Sequence, residues 1–306
     1  MRTDELYWLH VPLETSHGQP LKLLSERKLN VLGHPASLME RTGPLTSVSM
    51  GTPVVHQWLL FDPMPEATAR ALLENLRERL PIVAFRTEYP LRVAGGALEM
   101  ASGRAYDGQC STLIPARLSP TAWSNEFEFS APRDGVTILE EAVSASPALK
   151  DERLLAAFDM LAASRYDTLP RSIFLTHLTI LDSLAVRAPR EEHIQAWLDD
   201  RIKEARVIKD QSLVSGLEGL KQRSHGTAVQ DLVVRAAQAK GETPARIKEL
   251  KTLAGTLYRS RSRLSHAGGS GDLDLTGAHE LVSLVLEMAV THPALLNDQQ
   301  AHGAVS

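Results

Sequence analysis

Cysteine is nearly absent from this chain, since Cys110 is the only one in 306 residues. A single cysteine excludes an intramolecular disulfide framework and a cysteine-rich zinc site, and it is typical of a reducing compartment. We therefore expect a cytoplasmic protein.

Long apolar runs and a strong net charge are also lacking. No stretch approaches the roughly 18 apolar residues of a membrane span, and the first 20 residues lack the basic start and apolar run of a secretory signal. The net charge is -4 and the pI about 6.3, so the surface as a whole is not a polycation that coats nucleic acid or an anionic membrane. Any binding of phosphate must be local, and no membrane partner is expected.

The remaining composition is that of a globular protein, with 43% apolar and 23% charged residues, and the length allows two domains. Residues 1–140 mix strand and helix signals. Runs rich in aromatic and β-branched residues predict strands over 5–11 and 54–61. We predict an α+β domain here.

A helix is predicted over 62–81, between two strands of this domain. Apolar residues recur at helical spacing in it: Leu72, Leu73, Leu76 and Leu80. Pro81 is expected to end the helix, because proline lacks the amide hydrogen that a helix interior needs. A further strand is predicted over 82–93, which completes a strand-helix-strand unit.

Amphipathic helical periodicity takes over after about residue 137 and predicts an all-α bundle of five to seven helices over 150–296. Residues 297–306 are predicted to form a disordered tail. One of the helices has a clear start, since Thr243 suits a helix cap and Pro244 suits a first helical position.

This helix carries an arginine on its apolar stripe. On a wheel of about 100° per residue, Arg261 falls inside the arc of roughly 140° that holds the stripe. The other members are Ile247, Leu250, Leu253, Ala254, Leu257, Tyr258 and Leu264. An arginine there is costly unless its guanidinium meets an acid, backbone carbonyls or a ligand anion. Arg259 and Arg263 lie on the other side, where they predict a general electrostatic face that binds RNA or phosphate.

His266 follows in the last turn of the helix, where the carbonyl groups favour a protonated imidazole. An arginine can hold a phosphate oxygen while an imidazole moves the proton of a ribose 2′-hydroxyl or of the leaving 5′-oxygen. This reaction needs neither a metal nor another cofactor, and none is predicted. Positions five apart lie about 140° apart on an ideal helix. Either the helix breaks near Ser262 to Ser265, or the two groups converge at an interface between two copies.

A plainer interpretation competes with this one: a solvated basic helix end whose arginine pairs with a core acid. A second Arg-Ser-His run ends at His225 and predicts a turn or a helix start, although this histidine could also join a basic cleft. The tryptophans are interpreted as core anchors: Trp8, Trp58, Trp123 and Trp197.

The stretch "LYRSRSRLSHAG" resembles the signature of HEPN domains, the higher-eukaryote and prokaryote nucleotide-binding family. Its R-x(4–6)-H motif maps onto Arg261, Ser262 and His266. The tyrosine before the motif and the serine inside it are most similar to the ApeA-like HEPN group, which more often has glycine where this chain has Ala267. The resemblance extends over 150–296, where an acid of an early helix matches Asp182.

The resemblance implies an all-α domain that forms a homodimer in which two R-x4-H motifs face one cleft. It further implies a metal-independent endoribonuclease that leaves a 2′,3′-cyclic phosphate, acting as a toxin or in defence against phage. By position, Arg261 would bind the scissile phosphate and His266 would be the general base or acid. Ser262, Asp182 and Tyr258 would support Arg261.

We therefore expect RNA as the substrate and a second copy as partner. The N-terminal domain, residues 1–140, would act as a sensor, specificity or regulatory module that meets a regulatory protein or a phage-derived trigger. The alternative is a non-catalytic RNA-binding or protein-interaction module, in which Arg261 and His266 stabilise the bundle or the dimer.

Overall fold

The chain divides into two compact units, Met1–Tyr166 and Asp167–Ser306. The computed structural model describes residues 5–15, 21–22, 28–40, 48–49, 52–53, 55–89, 91–95, 97–100, 110–118, 133–165, 167–267 and 273–297. The first unit combines a mixed sheet with helices, and the described part of the second is helical. This confirms the predicted order of an α+β part followed by an all-α part. The predicted tail lies outside the described residues, apart from Asn297.

The sheet of the first unit is built around two long strands, β1 and β7. The described strands are β1 Leu6–Thr15, β2 Leu21–Lys22, β3 Leu29–Val31, β4 His34–Glu40, β5 Val48–Ser49, β6 Thr52–Pro53, β7 Val55–Pro65, β8 Leu91–Val93, β9 Leu98–Met100, β10 Ser111–Pro115 and β11 Arg133–Asp134. The main sheet has the order β3-β4-β7-β1-β10-β9, and β8 pairs with β1. Within it β9 and β10 are parallel, and the other pairs are antiparallel. Strands β1 and β7 confirm the two strands predicted from apolar runs.

Helix α1, Glu66–Thr87, continues through Pro81. The prediction that Pro81 ends the helix is therefore wrong. Of the strand predicted over 82–93, only the last three residues form a strand, β8. An interior proline costs a helix about 3 kcal/mol. The turn that follows is buried through Ile82, Val83 and Ala84. Burying a large aliphatic side chain contributes about 1.5–3 kcal/mol, so this turn offsets the cost of the proline.

Helix α3 belongs to the first unit, although the sequence interpretation placed it in the helical domain that starts at 150. A π-helix, Val136–Ala142, leads into the short helix α2, Val143–Ala145, and then into α3, Glu152–Ser164. Helix α3 packs on α1, where the rings of Phe85 and Phe158 meet edge to face at 5.5 Å. Helical periodicity reveals that a segment buries one face, but it does not reveal which core covers that face.

The second unit is a helical bundle. Its helices are α4 Pro170–Leu184, α5 Glu192–Ile208, α6 Gln211–Leu220, α7 His225–Lys240, α8 Pro244–Ala267, α9 Leu275–Thr291 and a 3-10 helix Pro293–Leu296. Helices α4, α7, α8 and α9 pack against one another, and α5 packs on α6. No helix in the described part of the chain is long and apolar enough to cross a membrane.

One predicted core anchor is at the surface. Trp197 on α5 is 58% exposed, while Trp58 of the first unit is buried. The Arg201 guanidinium lies 5.9 Å from the Trp197 ring centroid, one turn further along the same helix. Helix α5 buries only a narrow face through Leu198, Ile202 and Ala205, so the indole lies beside this face in contact with solvent.

A buried histidine predicts that the second unit loses stability in acid. His177 on α4 is 4% exposed, and its ring centroid is 5.5 Å from that of His279 on α9. Burial, with a smaller effect of His279, lowers the pKa of His177 to about 4. Between this value and the ordinary pKa of about 6.5, the unfolded chain binds a proton that the folded chain does not. Stability therefore rises with pH in this window, and acidification removes up to about 3 kcal/mol.

Urea denaturation of the full chain at pH 7 and pH 4.5 measures this loss. His177→Gln, which cannot titrate, is expected to reduce the difference, whereas His193→Gln at an exposed position of α5 leaves it unchanged. Part of the difference should remain in the His177 variant, because burial also lowers the pKa of His10 in the first unit to about 4. The assignment is wrong if the His177 variant loses as much stability in acid as the parent.

Candidate functional site

Helix α8 has the predicted start and the predicted apolar stripe. The Thr243 hydroxyl accepts a hydrogen bond from the Arg246 amide at 3.3 Å, which satisfies one of the unpaired amides of the first turn. The stripe is buried through Leu250, Ala254, Leu257 and Leu264. The Arg261 side chain lies on the same face and is 27% exposed. An arginine with this exposure loses much of its hydration and needs partners in the protein or in a ligand.

An acid meets this arginine, as its position on the stripe requires. The terminal nitrogen Nη2 of Arg261 lies 3.3 Å from Asp182 Oδ2 on α4. Its other terminal nitrogen donates to the Tyr258 hydroxyl at 3.2 Å, and the guanidinium carbon is 5.4 Å from the Tyr258 ring centroid. These contacts occupy two of the five guanidinium N–H groups. The guanidinium is thus held in place with donors left for a ligand.

Asp182 connects three side chains of the second unit. Besides Arg261, its Oδ1 accepts a hydrogen bond from the Tyr258 hydroxyl at 3.3 Å, and the same oxygen lies 3.1 Å from Nδ1 of His225. Burial and the Asp182 charge raise the pKa of Tyr258, against a smaller opposing effect of Arg261. The phenol therefore stays protonated and donates to the carboxylate. The four side chains Asp182, His225, Tyr258 and Arg261 are called the Asp182 cluster below.

His225 is the member of the Asp182 cluster to which sequence analysis assigned no definite role. It is the first residue of α7, which confirms the predicted helix start, and its Nδ1 lies beside the Asp182 carboxylate. Ser224 caps α7 by accepting from the Thr227 amide at 3.1 Å. The repeated Arg-Ser-His run was the signal in the sequence, but the contact with Asp182 depends on how α4 and α7 pack.

The proposed motif residues lie on one unbroken helix. Helix α8 continues to Ala267, so a break near Ser262 to Ser265, one of the two predicted alternatives, does not occur. The side chain of His266 lies outside the described part of the structure. An unbroken helix turns about 140° between positions 261 and 266, which leaves convergence between two copies as the remaining alternative.

The other predicted residues of α8 are exposed. Ser262 is at the surface and, within the described residues, makes no hydrogen bond to Arg261, so its predicted support of Arg261 has no counterpart among these contacts. Arg259 contacts the Thr256 hydroxyl at 3.2 Å, and Arg263 contacts the Ser260 hydroxyl at 3.4 Å. Both arginines are exposed, as expected for an electrostatic face.

A cavity of about 630 Å³ adjoins the Asp182 cluster. Tyr258 and His225 form part of its wall. The wall also carries four permanent cations, Arg187, Arg190, Lys251 and Arg259. None of the described residues that line this cavity is acidic. The second unit therefore has a local positive field that the net charge of the chain hides.

Gly226 allows α7 to approach Tyr258 closely, and this predicts the effect of a small substitution. A Cβ at position 226 would lie 2.9 Å from Cδ1 of the Tyr258 ring. Gly226→Ala is therefore expected to displace the ring from Asp182 and Arg261 and to destabilise the protein by about 1–3 kcal/mol. Gly216→Ala is the matched control, because a Cβ there meets no atom within 4 Å and alanine is the better helix former by about 0.5–1 kcal/mol.

Thermal unfolding of the two variants tests this close approach. The control is expected to melt at or above the temperature of the parent and the Gly226 variant below it. Equal stability of both variants would contradict the tight packing of Tyr258 against α7.

Comparison with known proteins identified no relative of this chain. No protein-family model matches the chain, and neither the curated proteins nor the solved structures gave a significant match. The functional argument therefore starts from the residues of the second unit.

Proposed function

We propose that the protein is a metal-independent endoribonuclease of the HEPN type, with Arg261 and His266 as its catalytic residues. One observation carries the proposal. On the helix that holds the R-x4-H motif, an acid and a phenol hold the arginine of the motif in a half-buried position. A fixed guanidinium favours a phosphate whose negative charge increases in the transition state.

The proposed reaction is an internal phosphoryl transfer within the RNA strand. Arg261 donates N–H groups to a non-bridging oxygen of the scissile phosphate. One imidazole takes the proton of the 2′-hydroxyl, the 2′-oxygen bonds to phosphorus, and the bond from phosphorus to the 5′-oxygen breaks. A second imidazole protonates that oxygen. The products are a 2′,3′-cyclic phosphate and a 5′-hydroxyl end.

A homodimer would supply both imidazoles. On one helix His266 and Arg261 point about 140° apart, whereas two copies of α8 that face one cleft can contribute an arginine and a histidine each. We propose that the second unit forms this dimer. The first unit would be the sensor or regulatory part, which responds to a regulatory protein or a phage-derived trigger, in a cytoplasmic toxin or phage-defence system.

The direct test is RNA cleavage by the full chain in the presence of EDTA, with the ends of the products identified. We expect cleavage that persists in EDTA and leaves 2′,3′-cyclic phosphate ends. Sedimentation of the same sample is expected to show a dimer. The proposal fails if cleavage stops in EDTA or if the products carry other ends.

A non-catalytic role is the second candidate, and the pairing of Arg261 with Asp182 is the observation that favours it. A part-buried arginine that meets a carboxylate and a phenol also suits a purely structural ion pair in a bundle. The protein would then bind RNA or another protein without cleaving it. RNA binding with no cleavage, with or without a trigger, would support this role.

A further inference from the structure

The wall of the cavity beside the Asp182 cluster has four cations and no described acidic residue. Of the cations in its wall, Lys251 and Arg259 are exposed on α8, and Arg187 and Arg190 lie between α4 and α5. None of these four forms an ion pair with a described carboxylate. Of the other described cations of the second unit, eight have acidic partners. Five more form no ion pair with a described carboxylate: Arg171, Lys209, Arg235, Lys248 and Arg263. The four wall cations differ from these five because they line one cavity without a described acidic residue.

The two arginines between α4 and α5 are held in fixed places. Arg187 donates to the backbone carbonyls of Arg223 at 2.7 Å and Gly219 at 2.8 Å, and Arg190 donates to the carbonyl of Leu220 at 2.7 Å. Bonds to carbonyls fix a guanidinium without neutralising its charge. Each arginine keeps further N–H groups, since a guanidinium has five. Both are thus pre-positioned to bind an anion.

The first turn of α7 adds to the positive field. His225 and Gly226 line the cavity at the start of a helix of 16 residues, where the unpaired amides and the helix dipole favour negative charge. The cations are also spread out. Lys251 and Arg259 are eight positions apart on α8, about 12 Å along the axis, which is more than one phosphate group spans.

From these observations we infer that the cavity binds a ligand with at least two phosphate groups. The motif residue Arg261 is not among the described residues of the cavity wall, although its partner Tyr258 is. The ligand is either a strand of RNA with successive phosphodiesters or a free polyphosphate such as a nucleoside triphosphate. A volume of about 630 Å³ falls within the range of sites for small organic ligands. Binding at this cavity does not depend on the proposed nuclease activity.

Titration calorimetry of the full chain in EDTA, with three probes, tests the inference. The probes are inorganic triphosphate, ATP and a 2′-O-methyl hexaribonucleotide, which lacks the nucleophile for cleavage. At least one probe is expected to bind the parent protein. Tighter binding of the hexanucleotide assigns the cavity to a strand, and tighter binding of triphosphate or ATP assigns it to a free ligand. If none of the three binds, the inference is wrong.

Charge-removing variants assign the binding to this cavity. Lys251→Gln combined with Arg259→Gln is expected to raise the Kd of the bound probe at least about tenfold. For the hexanucleotide, the salt dependence of log K should fall by about 0.7 for each phosphate that the variant no longer neutralises. Lys248→Gln is the matched control, since Lys248 is exposed on the same helix and is not part of the cavity wall.

An equal loss of affinity in the Lys248 control would overturn the inference, because the field would then be general rather than local. Both changed residues are exposed, so we expect the variants to fold, and circular dichroism checks this. If the double variant does not fold, the single change Lys251→Gln provides the same comparison with Lys248→Gln. Probe binding by a His266→Ala variant separates this site from the nuclease proposal, because it should persist whether or not that variant cleaves RNA.

Discussion

His266→Ala is expected to lower the single-turnover rate of RNA cleavage by about 10²–10⁴-fold, the usual contribution of a general acid or base. The loss should be larger still if the histidines of two copies serve as base and acid of one reaction. Because the substitution lies in the last turn of α8 and removes no residue of the stripe, we expect the protein to stay folded.

Rates for the parent, His266→Ala and His193→Ala, measured at saturating protein in EDTA, give the size of the effect. His193 is exposed on α5, so its loss controls for removing a histidine from the surface. Cleavage by His266→Ala at the rate of the parent would refute the catalytic role. Equal loss in both variants would indicate a general effect of substituting a histidine rather than the loss of a catalytic group.

The second large effect is expected for Asp182→Ala, which should lower the free energy of unfolding by about 2–4 kcal/mol. The change leaves Arg261 without its carboxylate partner at a site where its side chain is 27% exposed, and an unpaired charge of low exposure is costly. Tyr258 and His225 lose the same acceptor. Asp182→Asn should cost less, because an amide oxygen can still accept a hydrogen bond.

The double variant Asp182→Ala with Arg261→Met tests whether the pair accounts for this cost. Removing both charges should recover part of the stability, with a coupling of about 1–3 kcal/mol between the two sites. Asp200→Ala is the control at an exposed ion pair with Lys203, and it should leave the melting temperature unchanged. Strictly additive effects of the two substitutions would contradict a direct contact between Asp182 and Arg261.

Measuring both RNA cleavage and stability of the Asp182→Asn variant distinguishes the two candidate functions. If the protein is a nuclease, Asp182→Asn should reduce cleavage even where the protein stays folded, because Arg261 loses the negative charge that holds it beside Asp182. Under the non-catalytic alternative, the same variant changes only stability. Unfolding of Arg261→Ala under conditions where the parent is stable would favour the structural role.

Local signals explain the parts of the fold that could be predicted. Thr243 and Pro244 determine the start of α8 through the bonding needs of its first turn, and the spacing of its leucines determines which face is buried. Pro81 shows where such signals fail. Its local preference would end a helix, but the buried turn after it keeps α1 helical.

The sequence by itself determined that the second half of the chain is helical, that α8 carries an apolar stripe, and that Arg261 lies on this stripe and needs an anionic partner. These properties follow from periodicity and charge along one segment. Only the tertiary structure decided that Asp182 is that partner and that it also holds Tyr258 and His225. The same packing brings four cations, none of which pairs with a described carboxylate, around one cavity. These residues come from separate helices, and contacts between helices depend on packing that no local spacing encodes.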